Sequence, residues 1–348
     1  MSYYAFTIPG LEGITAREIT DLGGRSRERR RGLVFFEWDG DPATLLHLGT
    51  AEDVFALVAR EPVSLEKEGL EQIGALVEGA GAWDVALAAL HRAQPRRSKR
   101  VRFRVVAQRH GGGQRYVRKE VDRQVGEAVA QRFPSWKGVD EDAAVEVWIL
   151  EENGEALCGV RLSDRTMRHR TYKKSSIAAS LRPVIARAMV TLTEPKEEDV
   201  FLDPMCGAGT LLIERGESGR YRQLLGGDIR EEALDAGRSN IGPRYKPIEL
   251  RVWDACQLPL DMGSVSAAAC NLPFGKKVGE KSELKVLYAR FMPELRRVVT
   301  PGAVAVLMTS ERVWLEQAMA GGDHFYCERL LPVWVLGQKA FLFKLRAI

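Results

Sequence analysis

Cysteine is scarce in this chain and never paired. Cys158, Cys206, Cys256, Cys270 and Cys327 lie far apart, with no C-x-x-C among them. That excludes a disulfide framework, argues against a zinc site and predicts a reducing, cytoplasmic setting. The five histidines are equally dispersed, so no metal is expected. No window reaches the ~18 consecutive apolar residues that span a membrane. Met1-Ser-Tyr-Tyr-Ala-Phe6 also lacks the charged start and apolar run of a signal peptide, and no membrane partner is expected. There is no internal repeat, no low-complexity segment and no G-x-G-x-x-G dinucleotide fingerprint.

What is present begins with length: 348 residues, 45% hydrophobic, are enough for two domains with separate cores. The net charge of +4 is unevenly spread. Between Arg92 and Lys119 there are eleven Lys/Arg and no Asp or Glu. Arg161 to Lys174 carries six cations against Asp164, and Arg25 to Arg31 five arginines against Glu28. Segregated cations repel one another unless a polyanion lies nearby, which points to nucleic acid; solvated strand and loop faces are the alternative.

Residues 1–60 read as a small α+β unit. A strand over Tyr4–Ile8 meets a Pro9-Gly10 turn, a helix over Leu11–Leu22 follows, and then a strand over Gly32–Trp38. The spacing of Leu45, Leu46, Leu48, Val54, Phe55 and Val58 predicts a helix over Pro42–Val58. Residues 61–163 form a second α+β unit. Its expected elements are a helix over Trp83–His91, a strand over Val101–Val106 with arginines on its open face, a helix over Val117–Phe133, and a hairpin turning at Asn153-Gly154. Residues 164–180 read as a connector. From Leu181 to Ile348 strands alternate with helices, the pattern of a parallel sheet, with an antiparallel terminal pair over Arg329–Val335 and Lys339–Leu345. The fold class is therefore α/β in the second half, preceded by an α+β half.

The chemistry gathers at the strand ends of that second half. Val200-Phe-Leu202 runs into Asp203-Pro-Met-Cys-Gly-Ala-Gly-Thr210 and then a helix. Gly207 and Gly209 permit a tight turn and close ligand approach. An acid at the strand end suits an amino group and hydroxyls and repels pyrophosphate, which argues for the methionine and ribose moieties of S-adenosylmethionine. Asp228, at the end of the next strand, is placed for the ribose hydroxyls, and Asp254 with Ala255, ending the third, for the adenine edge. The expected cofactor contacts are Asp203, Met205, Cys206, Gly207, Gly209, Thr210, Asp228, Ile229, Asp254, Ala255 and Asn271.

Ala267-Ala-Ala-Cys270 leads into Asn271-Leu272-Pro273-Phe274-Gly275. An exocyclic amino group is a weak nucleophile because its lone pair is delocalised. The Asn271 amide oxygen and the Leu272 carbonyl can each accept one N–H and free that lone pair. Pro273 fixes the backbone, and Phe274 offers a face for stacking a splayed base. Asn271, Leu272, Pro273 and Phe274 are the expected catalytic set. Cys206 and Cys270 read as small apolar fillers rather than nucleophiles.

With these residues in place, the sequence resembles the THUMP-containing class I RNA methyltransferases, and within them the enzymes forming N2-methylguanosine in tRNA. Ile8-Pro-Gly-Leu-Glu-Gly13 with Ala51-Glu-Asp-Val-Phe55 looks like their N-terminal ferredoxin-like unit. Phe103–Arg109 through Lys119–Gly126 looks like the THUMP module, Ser180-Leu-Arg-Pro183 like the segment before the catalytic domain, and Asp203–Thr210 like the cofactor motif. The resemblance implies a Rossmann-like domain with a seven-stranded mixed sheet over 181–348. It also implies a monomer that grasps the acceptor stem and 3′ end of tRNA. Contacts to RNA are expected from Arg102, Arg104, Arg109, Arg115, Arg168, Arg170, Lys173 and Lys276. Many relatives have Asn/Asp-Pro-Pro-Tyr/Phe; Leu272 in place of the first proline is similar to the subgroup acting on guanine 6. The same chemistry on another tRNA guanine, on rRNA or on DNA amino groups, and RNA binding without catalysis, remain alternatives.

Overall fold

The structure is a computed structural model that describes residues 1–95, 100–175, 177, 180–274, 281–322, 324–335 and 337–348. The chain divides into two compact units: Met1–Phe6 with Ala16–Met167, and Thr7–Thr15 with Arg168–Ile348.

In chain order the elements of the first half are β1 (Ser2–Phe6), α1 (Glu12–Asp21), β2 (Arg25–Arg30), β3 (Leu33–Glu37), β4 (Asp53–Pro62), α2 (Glu68–Gly79), α3 (Trp83–Ala93), β5 (Arg102–His110), α4 (Arg118–Arg132), β6 (Lys137–Gly138), β7 (Val145–Glu152), β8 (Glu155–Arg161) and α5 (Arg165–His169). The first unit is built on an eight-stranded sheet of order β2-β3-β1-β4-β8-β7-β5-β6. Residues expected as two modules, 1–60 and 61–163, share this sheet, because β4 pairs antiparallel with β8 from Phe55↔Arg161 to Pro62↔Glu155. Its main core joins Tyr3, Phe36 and Val54 of the strands to Ile73, Val77, Trp83, Leu90, Val121 and Val125 of the helices. The hairpin β7–β8 turns where predicted, with Asn153 and Gly154 both at positive φ.

The helix expected over Pro42–Val58 does not form. Its first part is a single 3-10 turn, Pro42–His47, opened by the Asp41 carboxylate accepting the Ala43 N–H. The Glu18 carboxylate then takes the Gly49 and Thr50 N–H groups at 2.7 and 2.9 Å, which ends the turn. Val54, Phe55 and Val58 continue as strand β4, where branched and aromatic side chains fit a sheet paired on both edges. The arginine run at Arg25–Arg31 is also not an open patch. Most of it is edge strand β2, where Arg25 and Arg27 meet Glu37 across the ladder and Arg30 meets Glu28 and Glu155.

The second half contributes α6 (Pro183–Leu192), β9 (Val200–Asp203), α7 (Thr210–Glu217), β10 (Gln223–Asp228), α8 (Glu231–Ile241), β11 (Ile248–Val252), β12 (Val265–Asn271), α9 (Lys281–Val298), β13 (Val299–Thr309), α10 (Arg312–Ala320), β14 (Phe325–Val335) and β15 (Gln338–Ala347). Seven strands form one mixed sheet, β11-β10-β9-β12-β13-β15-β14, parallel except for β15, which runs antiparallel to both of its neighbours, β13 and β14. Alternate residues enter different cores. Phe201, Ala267 and Ala269 join Ile185, Met189 and Leu212, whereas Leu202, Ala268 and Cys270 join Tyr288, Phe291 and Leu295. A sheet covered on both faces needs such continuous apolar strands. The turn at Thr7–Thr15 belongs here: Trp334 donates its N–H to the Pro9 carbonyl at 3.0 Å, and Ile8, Leu11 and Ile14 share a core with Val333.

Candidate active site

The parallel order reverses between β9 and β12, and the crevice at the carboxyl ends of strands beside such a reversal is where ligands bind. Gly226 pairs with Asp203, and Ala268 with Leu202. The ends of β10, β9 and β12, carrying Asp228, Asp203 and Asn271, therefore lie side by side.

Asp203 is buried, and its carboxylate accepts the Met205 N–H at 3.3 Å. Burial, reinforced by Asp228, holds its carboxyl well above the ordinary range, with the Met205 amide opposing. No cation among the described residues approaches it. A buried carboxyl of this kind is satisfied by holding its proton or by a cation brought from outside. Gly207 and Gly209 both adopt positive φ, +51° and +77°. Gly209 caps the start of α7.

Asp228 is oriented by the same loop. Its Oδ2 accepts the Gly207 N–H at 3.1 Å, while its Oδ1 accepts both the Arg230 N–H at 3.0 Å and the Arg230 guanidinium at 3.4 Å, so Oδ2 keeps a lone pair for a ligand hydroxyl. Ile229 follows with its side chain 70% exposed, an apolar surface at the rim. Asp254 is exposed and accepts the Cys256 N–H at 2.9 Å, and Ala255 is buried next to it. The side chains of Cys206 and Thr210 are buried, Cys206 within an apolar cluster, as the loop enters α7. Burial raises the Cys206 and Cys270 thiols well above their usual value, so neither is a thiolate nucleophile.

At the end of β12 the Asn271 amide oxygen is buried and has no hydrogen-bond partner among the described residues. Leu272 is buried, its N–H donated to the Met308 carbonyl at 3.0 Å. The Pro273 carbonyl accepts the Tyr288 hydroxyl at 2.8 Å and the Phe274 carbonyl the Ser310 hydroxyl at 3.5 Å. Phe274 is half-buried. Sequence reasoning missed Tyr288 of α9, and also Trp253, whose indole N–H donates to the Pro204 carbonyl at 2.9 Å. Gly227 lies directly beneath that indole, where a Cβ would fall 2.1 Å from the ring. Nothing local in the sequence marks either aromatic as a partner of a loop tens of residues away.

The cations expected at RNA divide by environment. Arg102 and Arg115 are exposed, held by the Asp142 carbonyl at 2.7 Å and Glu66 at 3.1 Å. Arg104 is half-buried against Glu146 at 3.0 Å. Arg109, Arg170 and Lys173 have partners within the protein. Arg109 binds buried Glu151 and the Tyr116 carbonyl, Arg170 binds buried Glu214, and Lys173 donates to the Leu181 carbonyl. Burial beside Arg182 lowers the Lys173 amine. Arg168 is half-buried, and Lys276 lies outside the described residues. Arg118 and Lys119, from the same basic run, are exposed in the first turn of α4.

The sheet order, the acids ending its first strands and the Asn-Leu-Pro-Phe loop define a Rossmann-like class I methyltransferase domain. Known proteins agree. Residues 170–328 match the family described as RMKL-like, methyltransferase domain. The chain is 30% identical to the tRNA (guanine(6)-N2)-methyltransferase of Thermus thermophilus, over 91% of this chain and 92% of that protein. It is 30% identical to a tRNA (guanine(6)-N(2))-methyltransferase of Bos taurus, over 68% of this chain but 49% of that one, so it spans about half of that relative's length. The crystal structure of TrmN from Thermus thermophilus superposes with a TM-score of 0.83 at 26% identity, covering 100% of this chain and 99% of the other. The chain belongs to the tRNA (guanine-N2)-methyltransferase family.

Proposed function

We propose that this protein transfers the methyl group of S-adenosylmethionine to the exocyclic N2 of a guanine in tRNA, guanine 6 of the acceptor stem. The Asn271 amide oxygen carries the reading. A buried acceptor left without a partner is costly, and its position at the crevice suits an incoming amino hydrogen.

Asp203, Gly207 and Gly209 would hold the methionine end of the cofactor, Asp228 the ribose, and Ile229 with Asp254 and Ala255 the adenine. Bound there, the cofactor supplies an electrophilic methyl on sulfur that leaves a neutral thioether behind. The protein prepares the acceptor. Asn271 accepts one amino hydrogen, and the Leu272 carbonyl accepts the other. With both hydrogens held, the nitrogen lone pair is drawn out of conjugation with the ring. Phe274 stacks on the extruded base. Tyr288 keeps the Pro273 carbonyl away from the substrate and fixes the turn. The proton lost on methylation passes to solvent. Positioning and electrostatics carry the reaction.

In the first unit, exposed Arg102, Arg115, Arg118 and Lys119 offer phosphate contacts of the kind tRNA requires. The reading also includes a monomer working in the cytoplasm. The test is methyl transfer from labelled cofactor to separate tRNA, rRNA and DNA pools, followed by mass spectrometry of digested product. N2-methylguanosine at tRNA position 6 is expected; label confined to rRNA or DNA overturns the tRNA assignment.

A further inference from the structure

Asn240 of α8 is 1% exposed, yet its whole amide is used by groups outside its own helix. Its oxygen accepts the N–H groups of Lys174 and Ser175 at 2.9 and 2.8 Å. Its nitrogen donates to the Ser175 carbonyl at 2.9 Å and to the Ala208 carbonyl at 3.1 Å. Ala208 lies between the two positive-φ glycines of the cofactor loop. One side chain thus fastens the connector strand to that loop.

The neighbouring contacts repeat the arrangement. Gly237, one turn earlier on α8, sits so close that an added Cβ would be 3.3 Å from the Gly207 carbonyl. The Ile177 side chain of the connector reaches the other side, 3.2 Å from where a Gly207 Cβ would lie. The loop is therefore gripped between α8 and the connector, and the amide of Asn240 closes the grip. Only an amide at position 240 offers an acceptor to two N–H groups together with two donors to two carbonyls.

We infer that Asn240 is a positioning residue for the cofactor, acting through the Ala208 carbonyl to fix the conformation of the Gly207–Gly209 loop. The inference rests on the cofactor reading above. Asn240→Asp retains the acceptor for Lys174 and Ser175 but turns an oxygen toward the carbonyls of Ser175 and Ala208. The full-length variant should bind S-adenosylhomocysteine on the order of tenfold more weakly. KM for S-adenosylmethionine should rise in parallel, while kcat at saturating cofactor and tRNA affinity stay within about twofold.

Ser175→Pro provides a second variant. It removes one N–H donated to Asn240, together with an exposed hydroxyl contact to Ser239 of α8, and changes no side chain of α8 or its core, so it decides the matter if Asn240→Asp does not fold. The same KM effect without a kcat effect is expected. Titration calorimetry with S-adenosylhomocysteine on wild type and both variants separates the possibilities. Wild type that fails to bind overturns the cofactor reading and this inference together. Wild type that binds, with every folded variant binding within twofold of it, overturns the role of Asn240 alone.

Discussion

The Tyr288 hydroxyl donates to the Pro273 carbonyl at 2.8 Å and also meets the Thr309 hydroxyl at 2.7 Å. The Glu311 N–H in turn donates to that Thr309 oxygen. A relay from the end of β13 to α9 thereby holds the acceptor loop from behind, in a buried setting where such bonds are short and directional. Burial raises the Tyr288 phenol well above its usual value, so it stays a donor at any working pH. Tyr288→Phe should lower kcat roughly tenfold, as expected for one lost buried hydrogen bond. Affinity for S-adenosylhomocysteine should be unchanged; steady-state kinetics with parallel calorimetry checks both.

Asn271→Ala should reduce kcat by about two to three orders of magnitude, the usual effect of removing one preorganised polar group at a reacting centre. Cofactor and tRNA binding should persist. Single-turnover assays with excess enzyme read this directly, and unchanged turnover would remove Asn271 from the chemistry.

Cofactor affinity should depend on pH through Asp203. Its carboxyl is raised by burial when no cation is near, and a ligand ammonium beside it favours the charged form. Binding should therefore release a proton, and affinity should fall as pH drops through the raised pKa. The apparent binding enthalpy should vary with buffer ionisation enthalpy for wild type. In Asp203→Asn, binding is weaker and that variation disappears.

Gly227→Ala should be destabilising beyond a surface change. Its Cβ would lie 2.1 Å from the Trp253 ring, which must then leave the Pro204 carbonyl. A loss of about 1–3 kcal/mol in denaturant unfolding is expected for such overpacking, with weaker cofactor binding because Pro204 belongs to the loop.

The arginines should separate into two behaviours. Arg102→Gln with Arg115→Gln should weaken tRNA binding and flatten its salt dependence by roughly one unit per lost phosphate contact. Arg109→Ala should instead lower the melting temperature, since it strands Glu151, only 1% exposed, without its guanidinium partner. Filter binding at several salt concentrations and thermal melts tell the two apart.

Much of the catalytic half was legible because its signals are local. Val200–Leu202 followed by Asp203 and two glycines states a strand, a turn and a helix within about a dozen residues, and Asn153-Gly154 states its own hairpin. The helix misread over Pro42–Val58 shows the limit. Its leucines carry helical spacing, but the break comes from Glu18, some thirty residues upstream, taking the Gly49 and Thr50 amides. The ion pairs within the charge runs were hidden for the same reason. The partners of Arg25, Arg27 and Arg109 are glutamates brought across strands, and spacing along the chain does not reveal them. Tyr288, Trp253 and Asn240 act on loops by tertiary contact, so composition gave no hint of them.

The turn at Thr7–Thr15 has a consequence for how the molecule is made. Gly10, at φ +104°, lies so close to the Pro332 carbonyl that any side chain would collide with it. The Pro9 carbonyl is met by the Trp334 N–H. A segment at positions 7–15 thus settles against one at positions 332–334. The methyltransferase half cannot finish folding until β14 has been synthesised. A fragment begun at residue 168 would leave Val333 and its neighbours uncovered, however carefully the cut is placed between the two units.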